Sequence, residues 1–138
     1  MKKNKSNPNY KSKNHSKFCI TYHIIFVCKY RKKLLTMYGE DIKQILFDIS
    51  KNYDFAIKEM EADKDHIHLM IESIPKLSPL MIIRILKQQS TMEIWRIYKK
   101  ELKKYFWKEN TFWTDGYFVS TIGEVGSKTL KNYIQKQG

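Results

Sequence analysis

Between Asp65 and Ile74 the branched apolar side chains recur at every second position, a spacing that favours an extended strand over a helix. Successive side chains of a strand point to opposite faces, so Ile67, Leu69 and Ile71 share one face, which we expect to pack under helices. The opposite face then carries His66, His68, Met70 and Glu72. The segment therefore predicts a half-buried strand with two imidazoles side by side.

The surrounding pattern predicts a complete α+β domain. Three further strands are expected at 18–28, 55–60 and 112–122, the last interrupted near Asp115-Gly116. Helices are expected at about 40–52, at 80–98 behind Ser78 and Pro79, and at about 127–137 behind Ser127. The order β-α-β-β-α-β-α predicts a ferredoxin-like (RRM-like) antiparallel four-stranded sheet with two packing helices and an added C-terminal helix. We expect one domain over 18–138, preceded by a flexible basic arm at 1–17.

The charge of the chain limits its partners. Its 138 residues carry a formal net charge of +12, which attracts polyanions, nucleic acid above all. Membrane surfaces are the competing polyanion, but no apolar run reaches the roughly 18 residues of a membrane span. The lysine-rich start has no apolar segment of a secretory signal behind it. We therefore expect a cytoplasmic protein without a membrane partner.

Cationic and aromatic residues are interleaved, as in proteins that bind single-stranded nucleic acid. Aromatic residues near lysines or arginines are Tyr30, Tyr98, Tyr105, Phe106, Trp107 and Trp113, although core packing would also explain each of them. Candidate contacts to a DNA backbone are Lys29, Arg31, Lys32, Lys33, Arg84 and Lys87, with Arg96 as a further cation on the same helix. For the helical cations, a solvated helix face is the alternative.

Two imidazoles at positions i and i+2 of one strand face lie close enough to hold one metal ion. Imidazole suits manganese, cobalt, nickel or zinc, and magnesium can be held where phosphate oxygens complete the shell. Asp65 is placed to orient a ring by a hydrogen bond to its second nitrogen. The spacing alone also fits two half-exposed histidines on a polar sheet face. His23, in the first strand, is interpreted as a structural residue.

The predicted C-terminal helix carries a possible nucleophile. Tyr133 and Gln137 are four residues apart and project from one helix face. A tyrosine hydroxyl can attack phosphorus when its oxygen is held in line and the phosphate charge is neutralised. The amide of Gln137 can serve as a third metal ligand beside the histidines. A surface tyrosine on an ordinary helix remains the alternative.

Together these segments resemble the HUH single-tyrosine transposases, the TnpA-type enzymes of small hairpin-ended bacterial insertion sequences. The resemblance is carried by the 65–68 and 133–137 motifs, by Tyr22 to Lys32, and by the stretches 112–114 and 120–123. It spans residues 18–137. The sequence departs from the family at 123–126, Gly-Glu-Val-Gly, where paired glycines and a proline are common, which concerns the movement of the following helix.

The resemblance implies a mechanism and partners. It implies a divalent metal, Mg²⁺ or Mn²⁺, held by His66, His68 and Gln137, with Tyr133 as the nucleophile. It also implies a homodimer in which the tyrosine helix acts in the partner's site, and single-stranded DNA with subterminal hairpins as substrate. No nucleotide cofactor is expected, because the sequence has no phosphate-binding glycine loop.

Two other functions are compatible with the sequence. One is a domesticated HUH endonuclease that cuts hairpin DNA for its host. The other is a non-catalytic RRM-like module, which would carry base-stacking aromatics on the sheet face where the histidines are predicted.

Overall fold

The fold is known from a computed structural model, which describes residues 11–13, 16–18, 20–121 and 134–136. Two short strands come first, β1 (Lys11–Lys13) and β2 (Ser16–Phe18), which pair antiparallel. The main domain follows as β3 (Ile20–Val27), α1 (Leu35–Ser50), β4 (Ala56–Ala62), β5 (His66–Ser73), α2 (Pro79–Leu102) and β6 (Phe118–Thr121). The β1–β2 pair lies within and just after the stretch where the sequence predicts a flexible arm.

The four main strands form one antiparallel sheet in the order β4-β5-β3-β6. In this order β3 and β4 run parallel with β5 between them, so α1 makes the crossover of a split β-α-β unit. The predicted α+β, ferredoxin-like sheet with two packing helices is therefore confirmed. Of the added C-terminal helix, residues 134–136 are described, and they are helical.

One face of the sheet and the two helices enclose the core. Ile67, Leu69 and Ile71 on β5 are completely or almost completely buried, as their alternation predicted. They share the core with Ile24 and Phe26 of β3 and with the apolar stripes of both helices, among them Ile42, Leu46, Ile82 and Leu86. Because burying such side chains is worth roughly 1.5–3 kcal/mol each, this layer fixes which face of β5 the histidines occupy.

Both helices are longer than predicted. The first helix begins at Leu35, five residues before the predicted start at 40, because Leu34 and Leu35 are buried and extend its apolar stripe. Helix α2 begins as predicted, with the Ser78 hydroxyl accepting a hydrogen bond from the Met81 amide at 3.1 Å and Pro79 in the first turn. It continues past a distortion at Tyr98 to Leu102, which is fully buried.

The predicted strand 112–122 is shorter in the structure. Regular pairing is confined to β6 at Phe118–Thr121, and Trp113 makes only an isolated bridge to Cys28. Phe112 and Trp113 are buried in the core, which explains their strand-like pattern. Cys28 is also buried, and burial raises the pKa of its thiol to about 12. No helix among the described residues is long and apolar enough to cross a bilayer.

Candidate active site

The two predicted metal-binding histidines lie on β5 and face away from the helices. His66 and His68 are half-buried, while Ile67 between them is completely buried. The antiparallel register places Val27 opposite His66, and Ile25 and Glu61 on either side of His68. Strand β5 therefore presents both imidazoles on one face of the sheet, and β5 is an inner strand of that sheet.

Asp65 lies within hydrogen-bonding distance of two cationic or polar neighbours. Its Oδ1 is 3.0 Å from His66 Nδ1, and its Oδ2 accepts a hydrogen bond from Arg31 Nε at 3.0 Å. Burial acts to raise the pKa of Asp65, but the hydrogen bonds from His66 and Arg31 outweigh it and the pKa falls below its usual value. A charged carboxylate at this place favours the proton on Nδ1 of His66, which leaves Nε2 free to bind a metal.

Arg31 connects the histidine strand to the C-terminal segment. Its Nη1 donates to the backbone carbonyl of Gln135 at 3.5 Å, a long contact, while its Nε is held by Asp65. Gln135 is two residues from Tyr133 on one side and from Gln137 on the other. Tyr133 and Gln137 themselves lie outside the described residues. Gln135, which lies between them in the sequence, nevertheless contacts Arg31, the residue that donates a hydrogen bond to Asp65.

His23 contacts His68, an interaction that sequence reasoning missed. The two rings stack with centroids 4.8 Å apart and planes 10° apart, and His23 Nδ1 lies 2.6 Å from His68 Nε2. Burial lowers the pKa of His68 and the nearby His23 lowers it further, against the opposing effect of Glu61. Both effects favour the neutral form of His68, the form that a metal ligand needs. Binding through its Nε2 would replace the contact with His23.

The sequence of β3 gives only a weak indication that His23 lies beside His68. Strand β3 is apolar on both faces near its end, so its pattern does not show which residues point toward β5's histidines. The register settles it, because His23 stands opposite Met70, on the face of His68. The interpretation of His23 as a purely structural residue thus omits a contact with one of the candidate ligands.

The predicted DNA-binding cations fall into two groups. Lys29, Arg31, Lys32 and Lys33 follow β3 directly, and Arg31 is the member that reaches Asp65. Arg84 and Lys87 belong to α2, in the helical layer on the far side of the sheet from the histidines. Lys87 donates to the Gly116 carbonyl at 2.8 Å, and burial lowers its pKa to about 8. The structure therefore does not bring Arg84 or Lys87 together with the histidine pair.

The side chains around the histidine pair fit part of a metal site, whose other ligands would come from outside the described residues or from the substrate. Within the described ranges no three His, Cys, Asp or Glu side chains lie together as a metal-binding group. Two imidazoles and one orienting carboxylate are in place, and the predicted third ligand is an amide, Gln137, beyond those ranges. Such a set suits a divalent ion whose remaining positions are taken by phosphate oxygens or water.

Removing the charge of Asp65 is expected to weaken metal binding. Asp65→Asn can no longer stabilise the Nδ1–H form of His66 as strongly, and losses of about 10- to 100-fold in metal affinity are typical of such changes. Isothermal titration with Mn²⁺ measures the effect. Asp63→Asn, an exposed change two residues away, is the matched control and should bind as wild type does. Equal affinity in the Asp65 and Asp63 variants would show that Asp65 does not orient a metal ligand.

Comparison with known proteins places the chain in a family. Residues 16–137 match the family described as "Transposase IS200 like". The chain is 32% identical over 130 residues to the transposase for insertion sequence element IS200 of Salmonella typhimurium strain LT2, covering 92% of this chain and 82% of that protein. The corresponding protein of Salmonella typhi shows the same identity and coverage.

Solved structures share the fold. A protein from Deinococcus radiodurans R1 assigned as a transposase superimposes with a TM-score of 0.77 at 25% identity, over 99% of this chain and 98% of that one. A REP-associated tyrosine transposase bound to a REP hairpin has a TM-score of 0.55 at 14% identity, over 83% of this chain and 62% of that one. At that identity the second likeness concerns the fold alone.

The sheet, its histidine pair and these matches define a transposase of the HUH single-tyrosine class, as the sequence resemblance predicted. The chain belongs to the IS200-like transposase family. Its activity is accordingly that of a DNA strand transferase in the transposition of a mobile element. A base-binding module without chemistry would not be expected to match this family over nearly its whole length.

Proposed function

We propose that this transposase cleaves and rejoins single-stranded DNA at the ends of its insertion sequence through a covalent bond between Tyr133 and a 5′ phosphate. The observation that supports it most is the chain of contacts from His66 through Asp65 and Arg31 to the carbonyl of Gln135. This chain joins the histidine strand to the helical segment flanked by Tyr133 and Gln137. Tyr133 and the metal-binding histidines would then lie in the same active site.

A divalent ion, Mg²⁺ or Mn²⁺, would be held by His66, His68 and Gln137 and would neutralise charge on the scissile phosphate. The protein's own groups supply the rest. Asp65 contacts Nδ1 of His66, which leaves Nε2 for the metal, and burial lowers the pKa of His68 and so favours its neutral form. Arg31 keeps the Asp65 carboxylate charged and in position. No nucleotide cofactor is required by this scheme.

The proposed chemistry balances without an external energy source. The Tyr133 oxygen bonds to phosphorus, the bond from phosphorus to the 3′ oxygen breaks, and the proton lost by tyrosine is matched by the one gained at the new 3′-OH. A 3′-OH from another cleaved end then attacks the phosphotyrosine and restores the tyrosine hydroxyl. One phosphodiester is exchanged for another, so the bond energy is kept in the covalent intermediate.

Hairpin recognition and a dimer complete the proposal. The REP-associated transposase with this fold is bound to a hairpin, and we extend hairpin binding to the present protein's substrate. The excess of basic residues is consistent with a polyanionic ligand of this kind. We further propose a homodimer. The contact of Arg31 with the Gln135 carbonyl lies within one chain and supports a tyrosine helix that serves its own subunit, so service of the partner's histidines, which the resemblance implies, would require that contact to be exchanged between subunits.

A denaturing gel tests the proposal. Purified protein is incubated with labelled single-stranded DNA carrying the element's ends, with Mn²⁺ or with a chelator, and a matched duplex is run in parallel. The expected result is a protease-sensitive adduct that needs both the metal and the single-stranded form. Hydrolytic cleavage without an adduct, or an adduct of equal yield with duplex, would contradict it.

A further inference from the structure

A cavity of about 250 Å³ lies between the turn after β3 and the segment after α2. Its lining includes Tyr30, Lys32, Tyr105, Phe106, Trp107 and Lys108, and we call it the aromatic pocket. It is smaller than the roughly 300–1,000 Å³ typical of pockets for drug-sized ligands. The pocket thus suits one small planar group rather than a whole cofactor.

The pocket exposes aromatic side chains that a protein core would normally bury. Trp107 is 77% exposed and Tyr30 is 65% exposed, while Phe106, which also lines the pocket, is 5% exposed. The Tyr30 and Phe106 ring centroids are 6.5 Å apart. Phe106 is therefore the buried aromatic residue of the pocket, and Tyr30 and Trp107 are its solvent-exposed ones. Grouped exposed aromatics of this kind mark binding sites.

The backbone of the turn directs Tyr30 outward next to the candidate active site. Tyr30 and Arg31 both have left-handed φ angles, 58° and 53°, a conformation that side chains with a Cβ adopt rarely. At this turn Arg31 donates a hydrogen bond to Asp65, and Tyr30 is exposed to solvent. Tyr30 of the aromatic pocket is thus the sequence neighbour of Arg31, which holds the carboxylate that contacts His66.

The rim of the pocket is cationic. Lys32 Nζ lies 5.9 Å from the centre of the Tyr105 ring, and Lys29 Nζ lies 5.6 Å from that of Tyr30. Lys108 joins Lys32 in the lining, which holds a single acidic residue, Glu109. In proteins that bind single-stranded nucleic acid, cations contact the phosphates and aromatic faces stack on the bases, and this pocket has both kinds of group. An apolar peptide would gain nothing from these lysines.

We propose that the aromatic pocket binds an unpaired base of the single-stranded DNA next to the cleaved phosphate, stacked on Tyr30 and Trp107. Lys32 and Lys108 would contact the adjoining phosphates. Paired bases are excluded, because inside a duplex their faces are covered by their neighbours. The position of the base relative to the cut rests on the proposed function, whereas binding of an unpaired base does not.

Tryptophan fluorescence reports on this pocket almost selectively. The protein has three tryptophans, and Trp95 and Trp113 are each only 4% exposed. Wild-type protein is titrated in EDTA with a single-stranded oligothymidylate, so that binding is measured without chemistry. The expected result is saturable quenching that is lost in Trp107→Phe although binding, followed by anisotropy, is kept.

Variants at Tyr30 test the stacking itself. Tyr30→Leu should raise the Kd for the oligothymidylate about tenfold, as expected for the loss of one base–aromatic stack. Tyr30→Phe should restore it. Phe47→Leu, at a half-exposed aromatic on α1 outside the pocket, is the matched control and should leave the Kd unchanged. Circular dichroism confirms that each variant is folded.

Three outcomes would overturn the proposal. The first is equal quenching by an abasic strand of the same length or by duplex DNA, and the second is an unchanged Kd in Tyr30→Leu. The third is protection of Trp107 from iodide before DNA is added, which would assign the pocket to a contact between subunits. Since every measurement is made without metal, failure here is separate from failure to form a Tyr133 adduct.

Discussion

Replacing His66 or His68 by alanine is expected to lower metal-dependent DNA cleavage at least about a hundredfold, because an ion held at the scissile phosphate is worth several kcal/mol of transition-state stabilisation. Each change removes one of the two imidazoles that β5 presents on the face away from the helices. Both side chains are half-buried and outside the main core, so the fold should survive. Time courses of product formation at fixed Mn²⁺ measure the loss.

The same variants should still bind DNA, since the cations after β3 are untouched. His15→Ala is the matched control, a histidine in the predicted basic arm that should cleave at the wild-type rate. If His66→Ala and His68→Ala cleave like His15→Ala at every metal concentration, the two histidines are surface residues and the metal lies elsewhere.

Tyr133→Phe is expected to abolish both cleavage and strand transfer, a loss of at least about a thousandfold, since the attacking oxygen is removed outright. The aromatic ring of the side chain is kept, so binding of single-stranded DNA should not change. Product yield and anisotropy, measured on one preparation, separate the two effects. Tyr117→Phe provides the control, because Tyr117 is a partly exposed tyrosine in the same half of the chain.

The outcome for Tyr133→Phe also discriminates between mechanisms. Residual cleavage without a covalent adduct, at a rate near that of wild type, would indicate that water is the nucleophile. The protein would then act as a hydrolytic nuclease, and rejoining would require another explanation.

Much of the site's position could be predicted because it depends on local burial. The alternation around Ile67 and Leu69 determines which face of β5 is buried, and the histidines at the intervening positions follow. The proximity of Asp65 to His66 is likewise a property of neighbouring residues. Helix α2 begins where Ser78 and Pro79 predicted, because a cap is a local interaction.

What sequence reasoning missed depends on pairing between distant segments. The contact of His23 with His68 joins residues 45 positions apart and follows from the register of β3 against β5. The hydrogen bond from Arg31 to Asp65 occurs at a turn with two successive left-handed residues, which a Tyr-Arg sequence does not suggest. The sequence pattern at Phe112 and Trp113 indicated buried residues correctly. They are buried by core packing beside Cys28, however, and not because they belong to a continuous strand.

Whether Tyr133 is the nucleophile is measured most directly by locating the nucleotide on the protein. The adduct is trimmed with nuclease and digested with trypsin, and residues 132–136 between Lys131 and Lys136 give a peptide with one tyrosine among the nine in the chain. We expect mass spectrometry to find a 5′-phosphate-linked nucleotide on this peptide, at Tyr133. A nucleotide on any other peptide, or none after cleavage in Mn²⁺, would contradict the proposed mechanism.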